Sequence, residues 1–210
     1  MDYFNQHQHI NNLNIHFDDD KDRIYSYFKG YKFALDHKKK SKAFDPEMKK
    51  WVGSFLLSCL VSQGDLFRLN SVLLLEGNMH YLGITTNSKI YNAIVTLSKE
   101  DTNWETRAAS YRLLTTYYLD LILLQERKQD KNKYLKQANL VLLDGLNDDD
   151  PRVIIDVIDH LASLSHNLDA LPSIYNLANH TSPEVRFSAN EWVQNCLEFN
   201  TINYIKPKSK

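Results

Sequence analysis

A helix-start signature that recurs along the chain constrains the fold more than any other feature of the sequence. At three places a capping residue precedes a proline and then a charged residue, namely Asp45-Pro46-Glu47, Asp150-Pro151-Arg152 and Ser182-Pro183-Glu184. A fourth place, Asn103-Trp104-Glu105, lacks only the proline. A capping side chain satisfies free N–H groups of the first helical turn, and proline has no N–H to leave unpaired there. The signature therefore predicts helices that begin at residues 46, 104, 151 and 183.

Apolar residues follow these starts in a common register. An offset of 137 residues (183 − 46) places six residues on six without a gap: Met48 on Val185, Val52 on Ala189, Phe55 on Trp192, Leu56 on Val193, Cys59 on Cys196 and Leu60 on Leu197. This spacing traces one face of a helix, so we expect that face, with both cysteines, in the core. The other starts give a weaker version of the register: Thr106, Ser110, Leu113, Leu114, Tyr117 and Tyr118, then Val153, Val157, His160, Leu161, Leu164 and Ser165.

A second helical segment precedes each of the later starts. The apolar pattern predicts these segments near residues 88–98, 131–145 and 169–179, and the longest interval between starts has room for one more helix at 66–76. Helix, short loop and helix therefore alternate along most of the chain. A further helix is predicted near residues 21–35, after a polar N-terminus.

The junction Ser182-Pro183-Glu184-Val185-Arg186, with Ala189 behind it, resembles the junction inside a HEAT repeat. The junction at Pro151 has Ile154 in place of the arginine, and the junction at Trp104 keeps Arg107 but lacks the proline. The resemblance implies an all-α fold, a short right-handed α-solenoid of HEAT-like helix pairs. The array would occupy residues 45–199 of a single domain, between an N-terminal polar segment with a first helix (1–44) and a basic tail (200–210).

Composition and motifs argue against several classes of function. The formal net charge of −1 argues against a dedicated duplex-DNA binder, which usually carries a basic excess. No phosphate-binding glycine loop, nucleophile elbow or zinc motif occurs, so we expect no enzyme activity and no cofactor. Asp156, Asp159 and His160 have the spacing of helical metal ligands, but the register places His160 in the core, and we expect no metal.

The ends of the chain and its hydropathy bear on location. The polar N-terminus does not resemble a secretory signal, and no apolar run approaches the roughly 20 residues of a membrane span. We therefore expect a cytoplasmic protein without membrane contact. The abundance of Asn, Lys, Ile and Tyr indicates an AT-rich bacterial or phage genome.

Six carboxylates fall within sixteen residues and are offset locally only by Arg152: Asp144, Asp148, Asp149, Asp150, Asp156 and Asp159. A solvated surface is one interpretation of this acidic stretch. The other is a polarised surface for a charged partner. The leading hypothesis is a protein-binding module without catalysis, an inhibitor or immunity protein whose acidic stretch occupies the basic site of a bacterial toxin or nuclease domain.

The resemblance to HEAT arrays also implies that the second helix of each pair lines a concave binding surface. The polar residues expected there are Lys89, Asn92, Lys133, Lys136, Gln137, Asn176 and Asn179. The alternative function is nucleic-acid binding, in the manner of HEAT-like DNA glycosylases. It would use two basic clusters, at residues 38–50 and 128–136.

Overall fold

The computed structural model describes residues 46–76, 79, 88–124, 128–163 and 170–205, and within these ranges helices are joined by short loops, with no strand. The side chains it describes are those of residues 53–76, 79, 88–122, 131–161 and 170–197. The helices are α1 (Pro46–Leu60), α2 (Asp65–Leu75), α3 (Ser88–Glu100), α4 (Trp104–Leu124), α5 (Lys128–Gly145), α6 (Pro151–Ser163), α7 (Leu171–Leu177) and α8 (Pro183–Ile205). The predictions for residues 1–45, for the side chains of the basic cluster at 38–50, and for the core side chains of Met48, Val52, Leu164 and Ser165 lie outside what the structure describes.

All four predicted helix starts are confirmed, at Pro46, Trp104, Pro151 and Pro183. Three of the capping side chains perform the expected role. Asn103 Oδ1 accepts a hydrogen bond from the Glu105 N–H at 2.9 Å, Asp150 Oδ1 accepts one from Arg152 at 3.0 Å, and Ser182 Oγ accepts one from Val185 at 3.4 Å. The helix starts therefore follow from side chains within three residues of each start.

The predicted second segments are also helical, but α7 is shorter than expected. It ends at Leu177 rather than at residue 179. The N–H groups of Ala178, Asn179 and His180 each bond to the carbonyl three residues back, at 3.2, 3.2 and 3.0 Å. Because these tighter bonds replace the four-residue spacing of an α-helix, the chain leaves the helix there. At the other end of the predicted array, α8 continues past residue 199 to Ile205.

The chain divides into two compact units, Met1–Ala93 and Ile94–Lys210. In the described part of the first unit, α1 packs against α2. Leu56, Leu60, Val72 and Leu75 are buried there with at most 1% of their surface exposed. Cys59 is a free, buried thiol, as predicted; burial raises its pKa to about 12, against the opposing effect of a hydrogen bond with Ser71.

In the second unit, α4 packs against α5 and α6, and α8 packs against α6 and α7. The Arg152 guanidinium lies 4.4 Å from the centre of the Trp104 ring, so the first turns of α6 and α4 are neighbours. The shared core takes side chains from every helix of this group, including Tyr111, Leu142, Val157, Ile174 and Trp192. It includes Cys196, whose predicted burial is confirmed.

The predicted core register holds for most described positions and is wrong at Leu197. Val185, Ala189, Trp192 and Cys196 on α8 are buried, whereas 51% of Leu197 is exposed. The seven residues of α7 span only about 10 Å and cannot cover the later turns of the 23-residue α8. In the part of the chain that the structure describes, no helix is both long enough and apolar enough to cross a membrane.

Two helical glycines lead to opposite predictions for substitution by alanine. A Cβ on Gly145 would lie 2.8 Å from Val157 Cγ2 and 3.2 Å from the Tyr111 ring, whereas a Cβ on Gly53 would meet only Ile90 Cδ1 at 4.0 Å. We expect Gly145→Ala to lower the free energy of unfolding by about 1–3 kcal/mol, because the core must move to admit the methyl group. Gly53→Ala should raise it by about 0.5–1 kcal/mol, because alanine favours the helix. Urea denaturation of both variants measures the difference, and a Gly145→Ala protein at least as stable as wild type would contradict this packing.

Candidate binding surface

An arginine at the fourth position of three helices ties each helix to the loop before it. Arg68 on α2 donates to the carbonyls of Ser62 and Gln63, both at 2.9 Å. Arg107 on α4 donates to the carbonyl of Asp101 at 2.7 Å. Arg186 on α8 donates to the carbonyls of His180 and Thr181 at 2.7 and 2.9 Å. The same side chain at the same helical position thus holds carbonyls five or six residues upstream.

The sequence register identified two of these arginines and missed Arg68. The available signal was its place at the fourth residue of the helix that begins at Asp65. Arg68 and Arg107 are 39 residues apart, and Arg107 and Arg186 are 79 apart. Helix α6, whose predicted start at Pro151 lies between these two, has Ile154 at its fourth position, and that side chain is buried in the core.

Asp148, the first aspartate of the Asp148–Asp150 loop, is occupied by Arg107. The guanidinium donates to both of its carboxylate oxygens, from Nε at 2.8 Å and from Nη2 at 2.9 Å. Only 6% of the Asp148 side chain and 14% of the Arg107 side chain are exposed. The hydrogen bond to Asp148 raises the pKa of Arg107. Asp148 Oδ1 also accepts the N–H of Asp150 at 2.8 Å, so this carboxylate orders its own loop.

Three more of the acidic residues form ion pairs within the protein. Arg112 Nη1 donates to both oxygens of Asp156, at 2.6 and 2.7 Å. Lys99 Nζ lies 2.9 Å from Asp144, and Arg152 Nη2 lies 2.7 Å from Asp150. The sequence-based view that Arg152 alone offsets the acidic stretch is therefore wrong. The fold brings Lys99, Arg107 and Arg112 to it from α3 and α4, more than 40 residues away along the chain.

The other two acidic residues, Asp149 and Asp159, are exposed and have no ion pair with a described residue. Partial burial raises the pKa of Asp159, with further contributions from the negative charges of Asp156 and Glu191. Asp149 is the carboxylate of the Asp148–Asp150 loop that remains accessible to a partner.

A polar groove of about 350 Å³ lies where the end of α3, the start of α4 and the end of α5 meet. Its lining residues are Lys99, Arg107, Tyr111, Asp144, Asn147, Asp148 and Asp149. Both of its cations are already paired with carboxylates of the groove. Burial, followed by the negative charges of Asp144 and Asp148, raises the pKa of Tyr111, so its hydroxyl stays neutral. The groove thus offers oxygen acceptors to a cationic or hydrogen-bond-donating group.

The residues predicted on the second helices are mostly exposed. In the first unit, Lys89 and Asn92 are exposed on α3. In the second unit, Lys133 and Lys136 are exposed on α5 and Gln137 is half-buried. Asn176 is exposed on α7, and Asn179 is exposed in the turn that follows.

The spacing of Asp156, Asp159 and His160 does not assemble a metal site. One member, Asp156, is held by Arg112, and His160 is half-buried with its Nε2 atom enclosed. Within the described ranges no group of three His, Cys, Asp or Glu side chains is arranged to hold a metal ion.

The chain matches no known family model, no curated protein and no solved structure.

Two arginine variants distinguish the stability that the distant ion pair contributes from the stability that the loop contacts contribute. Arg107 and Arg186 make the same kind of bond to upstream carbonyls, but only Arg107 holds a distant carboxylate, that of Asp148. We expect Arg107→Ala to lower the free energy of unfolding by about 3 kcal/mol, because it leaves the enclosed Asp148 carboxylate without its cationic partner. Arg186→Ala, the matched control, should cost about 1 kcal/mol. Equal losses in chemical denaturation would show that the ion pair adds nothing.

The capping carboxylate of Asp150 gives a pH prediction. The hydrogen bond from Arg152 lowers its pKa from 3.8 to about 2. A carboxyl with a lowered folded pKa stabilises the fold above its unfolded pKa, and this stabilisation disappears as the pH falls from about 4 to about 2.

Asp150→Asn keeps a capping oxygen but removes this charge. At neutral pH we expect it to cost about 1 kcal/mol, less than the full pKa shift implies, because 58% of the Arg152 side chain is exposed. The difference from wild type should vanish by about pH 2 in thermal melts. Asp149→Asn, an exposed neighbour, is the control and should change stability by less than about 0.5 kcal/mol. A gap that persists unchanged at pH 2 would contradict the electrostatic account of Asp150.

Proposed function

We propose that this chain is a protein-binding module without catalytic activity, built as a short right-handed α-solenoid of HEAT-like helix pairs. The helix-tying arginines support it, because their intervals of 39 and 79 residues correspond to one and two repeats of about 40. The packing of α4 on α6 and of α6 on α8 also supports it, because first helices stack in this order in such arrays.

One observation carries the binding function: the second helices are buried on one side and expose polar side chains elsewhere, next to exposed apolar ones such as Leu140 and Tyr175. On α5, Ala138 and Leu142 are fully buried, whereas Lys133 and Lys136 are exposed. On α7, Ile174 is fully buried and Asn176 is exposed. The second helices of a solenoid line a continuous surface, and exposed polar side chains there suit recognition of another protein.

A more specific form of the proposal is an inhibitor or immunity protein that neutralises a basic bacterial toxin or nuclease domain in the cytoplasm. The polar groove favours it, because Asp149, Asp144 and Asn147 present oxygen acceptors there. Since Asp148 and Asp150 are bound within the protein, recognition of a basic partner would depend chiefly on Asp149. Complementary charge of this kind speeds association and sets specificity more than it adds affinity.

Nucleic-acid binding is the second candidate. Lys131, Lys133 and Lys136 are exposed on α5 and form no ion pair with a described residue, so they could contact phosphates. The net charge of −1 weighs against this function, because phosphate neutralisation supplies most of such affinity. A gel shift at low salt with single- and double-stranded DNA tests it. Absence of a shift at about 10 μM protein would exclude it.

The protein-binding proposal is tested with the full chain as bait in extract of its source cells, followed by titration of the purified partner. We expect a dissociation constant of about 1 μM or tighter. For a basic partner, Asp149→Lys should weaken binding about tenfold or more, while Glu191→Lys, an exposed acid on α8, should leave it unchanged.

Two results would count against these proposals. Equal effects of Asp149→Lys and Glu191→Lys would contradict the groove as the basic partner's site. Turnover of a substrate by the purified chain would contradict the proposal of a module without catalysis.

A further inference from the structure

Helix α5 carries a short mixed surface that we name the α5 stripe, formed by Lys133, Lys136 and Leu140. At about 100° per residue these positions fall within an arc of about 60°. All three side chains are exposed, Leu140 by 47%. The core residues Ala138 and Leu142 lie on the opposite side of the helix and are fully buried. The stripe therefore points away from the core of the second unit.

The α5 stripe carries two positive charges that the described part of the protein does not neutralise. No described acidic residue forms an ion pair with Lys133 or Lys136. One turn beyond Leu140, Asp144 is paired with Lys99 at 2.9 Å. The surface thus runs from two lysines, through an exposed leucine, to a neutral ion pair.

An exposed leucine one turn beyond two lysines narrows the choice of partner. A carboxylate-bearing helix can place acids against the two lysines and an apolar side chain against Leu140, at the three- and four-residue spacings that helices share. Nucleic acid would use the lysines but gain nothing from Leu140. The stripe has no arginine that could bind a phosphate through two hydrogen bonds, and no aromatic ring on which a base could stack.

We propose that the α5 stripe binds an acidic amphipathic helix of a partner protein. This inference rests on the proposed protein-binding function and is independent of the polar groove and of any basic partner. Exposed charge pairs contribute modestly and are screened by salt, so a single helix should bind weakly, at about 100 μM to 1 mM, and bind more weakly still as salt rises.

The probe is a fluorescein-labelled synthetic helix with glutamates three residues apart and a leucine four residues further on. Its binding to the full chain is followed by fluorescence anisotropy. Lys133→Glu/Lys136→Glu should weaken binding about tenfold, and Leu140→Ser about threefold. Lys131→Glu is the matched control: it makes the same charge change on the same helix at least about 140° from the stripe, and binding should stay within about twofold. Thermal melts by circular dichroism establish that each variant is folded.

Four results would overturn the proposal. The peptide would show no binding at about 1 mM protein, or Lys131→Glu would weaken it as much as the double variant does. Alternatively, a thymidine oligonucleotide would bind more tightly than the peptide, and its binding would be weakened by the double lysine variant but not by Leu140→Ser. A natural partner that still bound the double variant would overturn the α5 stripe as its site while leaving the protein-binding function intact.

Discussion

Within the second unit, the ion pair between Arg107 and Asp148 connects α4, α5 and α6 with the end of α3. Its guanidinium holds the carboxylate after α5 and the Asp101 carbonyl after α3, and it stands in the first turn of α4. Asp148 in turn holds the N–H of Asp150, the residue that caps α6. Because both charges are largely enclosed, each depends on the other for its stability. Asp148 and Asp150 of the acidic stretch therefore stabilise the fold of the second unit.

The helix starts could be predicted from sequence because their causes are local. A capping residue and an apolar face lie within a few residues of each start, and a proline is present at Pro46, Pro151 and Pro183 but not at Trp104. Leu197 could not be placed correctly from its register alone. Its exposure depends on the length of α7, a separate helix whose end is set by turn bonds after Leu177. Whether a neighbouring helix covers a residue depends on the tertiary structure, which the apolar periodicity of the sequence does not encode.

The candidate site was less predictable than the fold, for the same reason. Each aspartate of the acidic stretch is visible in the sequence, but the partners of Asp144, Asp148 and Asp156 come from α3 and α4. Once these pairs form, fewer of the described charges are left for a partner. They include Asp149 at the groove and the lysines of the α5 stripe. Charges already used within the fold are poor candidates for recognition, because breaking their pairs would cost stability.

The ion pair between Asp148 and Arg107 stabilises the folded state, and a double-mutant cycle is the most direct test of this claim. Urea denaturation of wild type, Arg107→Gln, Asp148→Asn and the double variant yields the coupling free energy of the two side chains. Their short, enclosed, two-point contact predicts a coupling of about 2 kcal/mol or more. Additive effects, with a coupling below about 0.5 kcal/mol, would contradict the claim and return Asp148 to the set of residues available to a partner.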